Sequence, residues 1–574
     1  MTAAEKPANR PSLGWLWALI LCVVASVVLV AHSLRFDFVT DDAFISFVYA
    51  KNLVEHGALV FNLDERVEGY TNFLWTLLLA AGMALRIPPE LSSRVLGTLC
   101  GVLGLWACAR LVRLFAANPA TTTTCPGSVA EALPALLLAG IPGYACWSSG
   151  GLETMLFTLL TTLGAATYLG LGSSPNQAPE KADLAGQKLW LPALCLGLAA
   201  LTRPEGFLFF GLLGLHRLGC KLKAQALRPT RPELQAAGVF LLLTVPHLLW
   251  RRSYYGYWVP NTFFIKSSGG AGAMQQGLYY LLAFARDLKL YVLPLLYGAG
   301  LLRSLPAPLH RRYLLWGSVT YLWTAVFLLY VAKVGGDFMG LYRFVMPVVP
   351  LNVVCGVLGL YRLCGLWQTL PAEPPRRAAW SKLATALTSL LLLFFHAENT
   401  RRVDQHALTF LGADRGIDTP GYLRYYTADR AAIGKWLGQN VRPDDYQVVG
   451  GAGAQVYYAG IRALDSFGLS DAYVAHRVPA SSSRPGHQKF APLEYVLSRQ
   501  PTILTYNVYR IDAAPYRPSP AEAAMWRARG FHYISVQIPG LSLPWYSFLK
   551  RIDRALGPFP PEDAGGADSG LLLR

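Results

Sequence analysis

The chain has 574 residues, 53% of them hydrophobic and only 15% charged, with a formal net charge of +17. A soluble protein of this length holds about 25% charged residues, so this deficit and a mean hydropathy of +0.33 exclude an ordinary soluble globule and point to a bilayer. The Lys and Arg residues fall largely in short runs between apolar stretches. That is the pattern of loops retained on the cytoplasmic side of a membrane, and it argues against a nucleic-acid partner.

Lys6 and Arg10 precede an apolar run at 12–32. It is long enough to span as an uncleaved helix rather than a cleaved signal peptide. Further apolar runs lie at 92–109, 131–147, 152–171, 189–202, 205–219, 235–250, 285–302, 313–333, 344–361 and 382–396. Together they predict about eleven spans. The run at 73–85 is short and reads as interfacial or re-entrant.

With the N-terminus cytoplasmic and 73–85 not crossing, the basic clusters collect on one side, among them Arg110 with Arg113, Arg217 to Arg231, and Arg303 with Arg311 and Arg312. The opposite loops are 33–91, 148–151, 202–206, 251–284, 334–343 and everything after 397. None of the nine cysteines follows Cys364, and no Cys-x-x-Cys or Cys/His cluster occurs. A disulfide scaffold or zinc site is therefore not expected.

Beyond 397 the composition turns soluble. Helices are predicted at 428–439 and 519–529, and strands at 446–450, 461–464, 502–506 and 533–537, which reads as a small α/β domain. Segments 117–130 and 172–188 read as polar linkers, and 560–570 as a frayed end.

The unusual polar motifs lie mostly in the second set of loops. Asp41-Asp42 follows Thr40 in the first loop. Two adjacent carboxylates repel and burial raises their pKa, so one suits a general base for a sugar hydroxyl. Capping of the following helix is the other reading. Glu153, in Ser149-Gly-Gly-Leu-Glu153, opens a span as a helix-start acid or a ligand group. Arg203-Pro204-Glu205-Gly206 places two ionisable groups near membrane depth, either as an internal pair or as a contact to a lipid phosphate. Tyr255-Gly-Tyr-Trp258-Val-Pro-Asn261, followed by Lys266, reads as an interface belt or a sugar site. Gly335-Gly336-Asp337 and Arg343 form an ion pair or a ligand site.

These blocks, with Glu68-Gly-Tyr70-Thr-Asn72-Phe73-Leu-Trp75, Asp465-Ser-Phe-Gly468 and Pro485-Gly486-His487, resemble the polyprenyl-phosphosugar-dependent integral membrane glycosyltransferases of the C-type (GT-C) fold. Within them the chain looks closest to the bacterial and mycobacterial cell-wall arabinofuranosyltransferase branch. The resemblance implies a polytopic α-helical membrane protein. A transmembrane catalytic module would occupy 1–396, including the first periplasmic loop at 33–91 with its interfacial helix. A soluble periplasmic α/β domain would occupy 397–574. The location would be the bacterial inner membrane, with a cytoplasmic N-terminus.

The resemblance implies transfer of a sugar, arabinofuranose in the nearest branch, from a polyprenyl-phosphate donor to a hydroxyl of an envelope glycan, lipid or protein. Asp41 would be the base, with Asp42 as orienter or alternate. Arg203, Lys266 and Arg343 would hold the donor phosphate. Glu68, Tyr70, Asn72, Glu153, Glu205, Tyr255, Trp258, Asn261, Asp337 and His487 would hold sugar or acceptor. No cofactor is certain, and a divalent metal is left open. The alternatives are a hexosyl-, aminoarabinosyl- or mannosyltransferase acting on lipid A, O-antigen or protein, and a non-enzymatic polyprenyl-lipid transporter or assembly subunit.

Overall fold

The computed structural model describes residues 13–116, 129–170, 188–225, 227–266, 270–305, 307–365, 375–482, 484, 486–505, 509–561 and 572–573. The linkers predicted at 117–130 and 172–188 and the frayed end at 560–570 fall largely outside the described residues, as does Pro485.

The helical part opens with α1 (Leu13–Phe36), α2 (Asp41–His56), α3 (Phe73–Ala84) and α4 (Pro89–Ala116). It continues through α5 (Val129–Ala139), α6 (Pro142–Ser149), α7 (Thr154–Gly170), α8 (Trp190–Thr202) and α9 (Glu205–Lys223). Next come α10 (Arg231–Tyr255), α11 (Asn261–Lys266), α12 (Gly270–Leu288), α13 (Val292–Gly300) and α14 (Ala307–Val334). A 3-10 helix, Arg343–Val348, leads into α15 (Val349–Leu363), and α16 (Pro375–Thr409) carries the chain onward.

Six helices among the described residues are long and apolar enough to cross a membrane: α1, α4, α10, α14, the 3-10 helix with α15, and α16. The pair α5 and α6, bent by 66°, makes up to seven. Pro142 starts α6 and offers no N–H to continue α5. Helix length and composition thus do not reproduce the eleven spans expected. The apolar runs do form helices, but α3, α7 and α8 are short. The run at 285–302 is divided between the end of α12 and the nine-residue α13. The break falls at Lys289, whose φ of 54° no helix continues. The predicted span is corrected there to two pieces.

The helices differ in what they face. The span containing α15 is 94% buried, whereas the apolar window of α16 is 6% buried. A bundle in lipid needs both kinds, since apolar side chains facing acyl chains gain nothing from being covered. Trp75, Trp147, Trp316 and Trp323 fill the bundle core.

After β1 (Ala413–Asp414), β2 (Ile417–Asp418) and α17 (Pro420–Asn440), the chain builds a mixed sheet. Its elements are β3 (Tyr446–Val449), α18 (Ala454–Ala459), β4 (Arg462–Asp465), α19 (Ala472–Arg477), α20 (Leu493–Ser498), β5 (Ile503–Leu504), β6 (Arg510–Asp512), α21 (Pro520–Arg527), β7 (Phe531–Gln537), β8 (Trp545–Arg551) and β9 (Leu572–Leu573). The strand order is β4-β3-β5-β8-β7-β9, with β6 also on β8. β3 is parallel to β4 and β5, while β8 runs antiparallel to β5 and β7. All four predicted strands are present. β8 was not predicted. Its Lys550 is buried, donating to the carbonyls of Arg551 and Pro560.

Three loops of the helical part are tied to this sheet domain. Asn62 and Ala463 exchange hydrogen bonds at 2.9 and 3.0 Å. Asn261 donates to the carbonyls of Gly468, Leu469 and Asp471. Asp418 and the 338–340 segment pair through Asp418 N–H to Phe338 O and Gly340 N–H to Asp418 O. The first loop, the loop after α10 and the Gly-Gly loop therefore share one face with the C-terminal part.

Candidate active site

Asp41 is the first residue of α2, and Thr40 is its N-cap, with no side-chain capping bond. Thr40, not the aspartate pair, holds the N-cap position, and both acids sit in the first turn. Asp41 Oδ1 instead accepts a 2.8 Å hydrogen bond from Ala454 N–H. Ala454 follows Gly450-Gly-Ala-Gly453, the loop at the carboxyl end of β3. A Cβ on Gly453 would overlap the Asp41 carbonyl oxygen, and one on Gly451 would overlap the Tyr426 hydroxyl. Glycine lets this loop lie against the acid. From the other side, Thr40 N–H donates to Gly150 O at 3.1 Å. A Cβ on Gly151, whose φ is +90°, would meet Val39. The two glycines of the Ser149 block thus set the approach to Asp41. Asp41 is buried, and burial raises its carboxyl above the usual range, with Ala454 N–H and the Arg430 charge opposing.

A cavity of about 250 Å³ opens beside Asp41 and the half-buried Asp42. Its far wall comes from the C-terminal part: Tyr422, Tyr426 and Arg430 of α17, the 450–452 loop, Asp465, Phe467, Arg484, His487 and Tyr509. This is the carboxyl-end edge of parallel strands β3 and β4, where open α/β sheets usually take their ligands. Asp465 ends β4, accepts from the N–H groups of Phe467 and Ser470 at 2.9 Å, and is pushed up to about 6 by burial. Asp418 is also pushed up to about 6 by burial, opposed by the Arg484 guanidinium paired with it at 2.8 Å. His487 packs edge-on between Phe338 and Phe467. Aromatic faces beside acids and cations suit a carbohydrate.

Of the residues singled out in the sequence, Asp41, Asp42 and His487 line this cavity. Most of the others meet elsewhere. Arg203 binds Glu153 at 2.6 Å and Glu205 at 2.9 Å. Asn72 donates to Glu153, and Tyr330 to Glu205. Arg343 pairs with Asp337, and Arg203 and Arg343 both lie over the Phe344 ring. The space between them is about 10 Å³. Glu68 pairs with Arg251 at 2.8 Å, and burial pushes its carboxyl up to about 7. Tyr70 and Tyr255 meet through their hydroxyls at 3.3 Å. Asn261 is the tether already described, Trp258 is exposed, and the Lys266 side chain lies outside the described residues.

Sequence reasoning missed Arg430, Tyr422, Tyr426, Asp418, Arg484 and Tyr509. Asp465 stood in a noted block without a role. Arg430 sits in Ala-Asp-Arg-Ala-Ala on a helix, where nothing local separates it from a surface arginine. Among the described residues, no group of three or more His, Cys, Asp or Glu side chains could hold a metal ion.

Residues 420–548 match a family described as a domain of unknown function (DUF8728). The chain is 32% identical over 261 residues to the terminal β-(1→2)-arabinofuranosyltransferase of Mycobacterium tuberculosis, covering 44% of this chain and 39% of that protein. It is 27% identical over 392 residues to the Corynebacterium glutamicum protein of the same name, covering 61% and 54%. The chain thus matches only about two-fifths to one-half of the length of these relatives. Apo ArnT from Cupriavidus metallidurans superimposes with a TM-score of 0.54 at 15% identity, covering 93% of this chain and 97% of that one. The chain shares the fold of ArnT, and over part of its length its sequence is similar to two terminal β-(1→2)-arabinofuranosyltransferases.

Proposed function

We propose that this protein transfers a sugar, arabinofuranose by similarity to its relatives, from a polyprenyl-phosphate donor to a hydroxyl of a cell-envelope glycan. The reaction takes place in the cavity beside Asp41. The acceptor hydroxyl gives its proton to the Asp41 carboxylate while its oxygen bonds to the anomeric carbon. The bond from that carbon to the phosphate oxygen breaks, its electron pair stays on the oxygen, and polyprenyl phosphate leaves. The carboxylate is held in one orientation by Ala454 N–H, as a general base requires. Asp42 faces the same space and orients the acceptor or substitutes as base. His487 and the aromatic wall stack on sugar rings. The cavity opens on the periplasmic face of the inner membrane, with the basic loops in the cytoplasm.

The observation that carries this reading is a buried, backbone-anchored carboxylate facing a cavity lined by aromatic, acidic and guanidinium side chains. Purified protein given radiolabelled polyprenyl-phosphoarabinose and an arabinan acceptor should form labelled glycan. Asp41→Asn should lower turnover by about 10²–10⁴-fold with donor binding retained. Equal turnover by the variant would remove Asp41 from the mechanism.

A further inference from the structure

Several buried or half-buried arginines stand where the loops of the bundle meet the sheet domain, and carboxylates neutralise these four: Arg203 is held by Glu153 and Glu205, Arg251 by Glu68, Arg343 by Asp337, and Arg484 by Asp418. Arg430 is different. It is 5% exposed, and its hydrogen bonds go to neutral oxygens: Gln455 Oε1 at 3.3 Å and the Tyr509 hydroxyl. Its guanidinium lies over the rings of Tyr426 and Tyr509, at 4.8 and 4.2 Å from their centroids. Among the described residues no carboxylate forms an ion pair with it. Asp41, on the same cavity wall, has one oxygen turned to Ala454 N–H instead.

A buried cation is stable only when its charge is met. Tyrosine faces meet part of it. The Asp41 charge nearby meets a further part, but among the described residues no carboxylate pairs directly with the guanidinium, which lines a cavity roomy enough for a ligand. A planar fork of N–H donors matches phosphate oxygens. Arg203 and Arg343 offer no such vacancy, because each is already paired with a carboxylate and the space between them is about the size of a water molecule.

We propose that Arg430 holds the phosphate of a lipid-linked phosphosugar. The C-terminal part, which holds the match to a domain of unknown function, would then supply the cation that meets the leaving group, while the helical part supplies the base. The inference rests on the transferase reading above and deepens it. It also explains why Gly451 and Tyr426 are packed together: they brace the ring on which Arg430 lies.

The test uses the full chain in nanodiscs and three probes: decaprenyl phosphate, decaprenol and inorganic phosphate. Wild type should bind decaprenyl phosphate about tenfold to a hundredfold more tightly than decaprenol. Arg430→Gln should lose that preference while keeping its decaprenol affinity, and Arg430→Lys should keep part of it. Unchanged decaprenol binding also certifies that a variant is folded. If Arg430→Gln does not fold, Arg430→Lys carries the test, and a preference equal to wild type overturns the assignment. A wild-type preference that survives in Arg430→Gln overturns the role of Arg430 and leaves the transferase reading standing. A wild type with no preference overturns both. Inorganic phosphate binding as tightly as decaprenyl phosphate overturns the lipid-linked source.

Discussion

Two charged regions of the molecule are built on opposite principles. In the first, Arg203, Glu153, Glu205, Arg343 and Asp337 neutralise one another around a space of about 10 Å³. In the second, Asp41, Asp42, Asp465 and Arg430 surround about 250 Å³, and Arg430 has no ion-pair partner among the described residues. Ionisable groups near membrane depth invite a functional reading wherever they occur. The contrast shows that charge alone does not mark a ligand site. What marks it is charge left unmet beside room for a ligand.

The sharpest way to break this comparison is to remove Arg203. Arg203→Met leaves Glu153 and Glu205 buried without their cation, and it should destabilise the protein by about 3–5 kcal/mol. Folded yield and thermal unfolding in detergent would register it. A variant that is fully stable but inactive would move Arg203 into the ligand-binding class. Smaller in stability is Gly453→Ala, whose new methyl overlaps Asp41. Overpacking of this kind costs about 1–3 kcal/mol. Turnover should fall further than stability alone explains, because the base is displaced. Comparing turnover with unfolding at a temperature where the variant is folded separates the two effects.

The smallest effect is a shift in pH dependence. Burial raises the Asp41 carboxyl, and the Arg430 charge partly opposes that rise. The base works ionised, so turnover at saturating donor should climb as pH rises through the Asp41 pKa. That climb should lie above the range of an exposed aspartate. Arg430→Gln removes the opposing charge and should move it to still higher pH. Stability moves the opposite way with pH. A carboxyl whose folded pKa is raised weakens the fold fully above that pKa, and the penalty is relieved as pH falls toward its unfolded value. A turnover profile unmoved by Arg430→Gln would separate Arg430 electrostatically from Asp41.

Much of the helical part was legible because its signal is local. A run of apolar residues such as 12–32 or 92–109 must become a helix in lipid, since a lone segment satisfies its own backbone hydrogen bonds there in no other way. The four predicted strands of the C-terminal part carry the same kind of short-range signal. β8 did not, because its burial depends on β5 and β7 flanking it and on carbonyls that receive Lys550. Within the site, Asp41 and Asp42 stood out by adjacency, and His487 by its block. Arg430 stood out by nothing, being one arginine on an amphipathic helix.

The sequence by itself determined that this is a membrane chain with a strand-containing C-terminal part, and that acids, arginines and aromatics gather in its loops. Composition and short-range patterning suffice for that, because bilayer and backbone impose their demands residue by residue. The tertiary structure decided which of those charges are spent on one another and which face a cavity. Glu153 finds Arg203 across 50 positions, and Asp41 finds Ala454 across 413. Whether a charge is met depends on such distant partners, and no local pattern of residues records them.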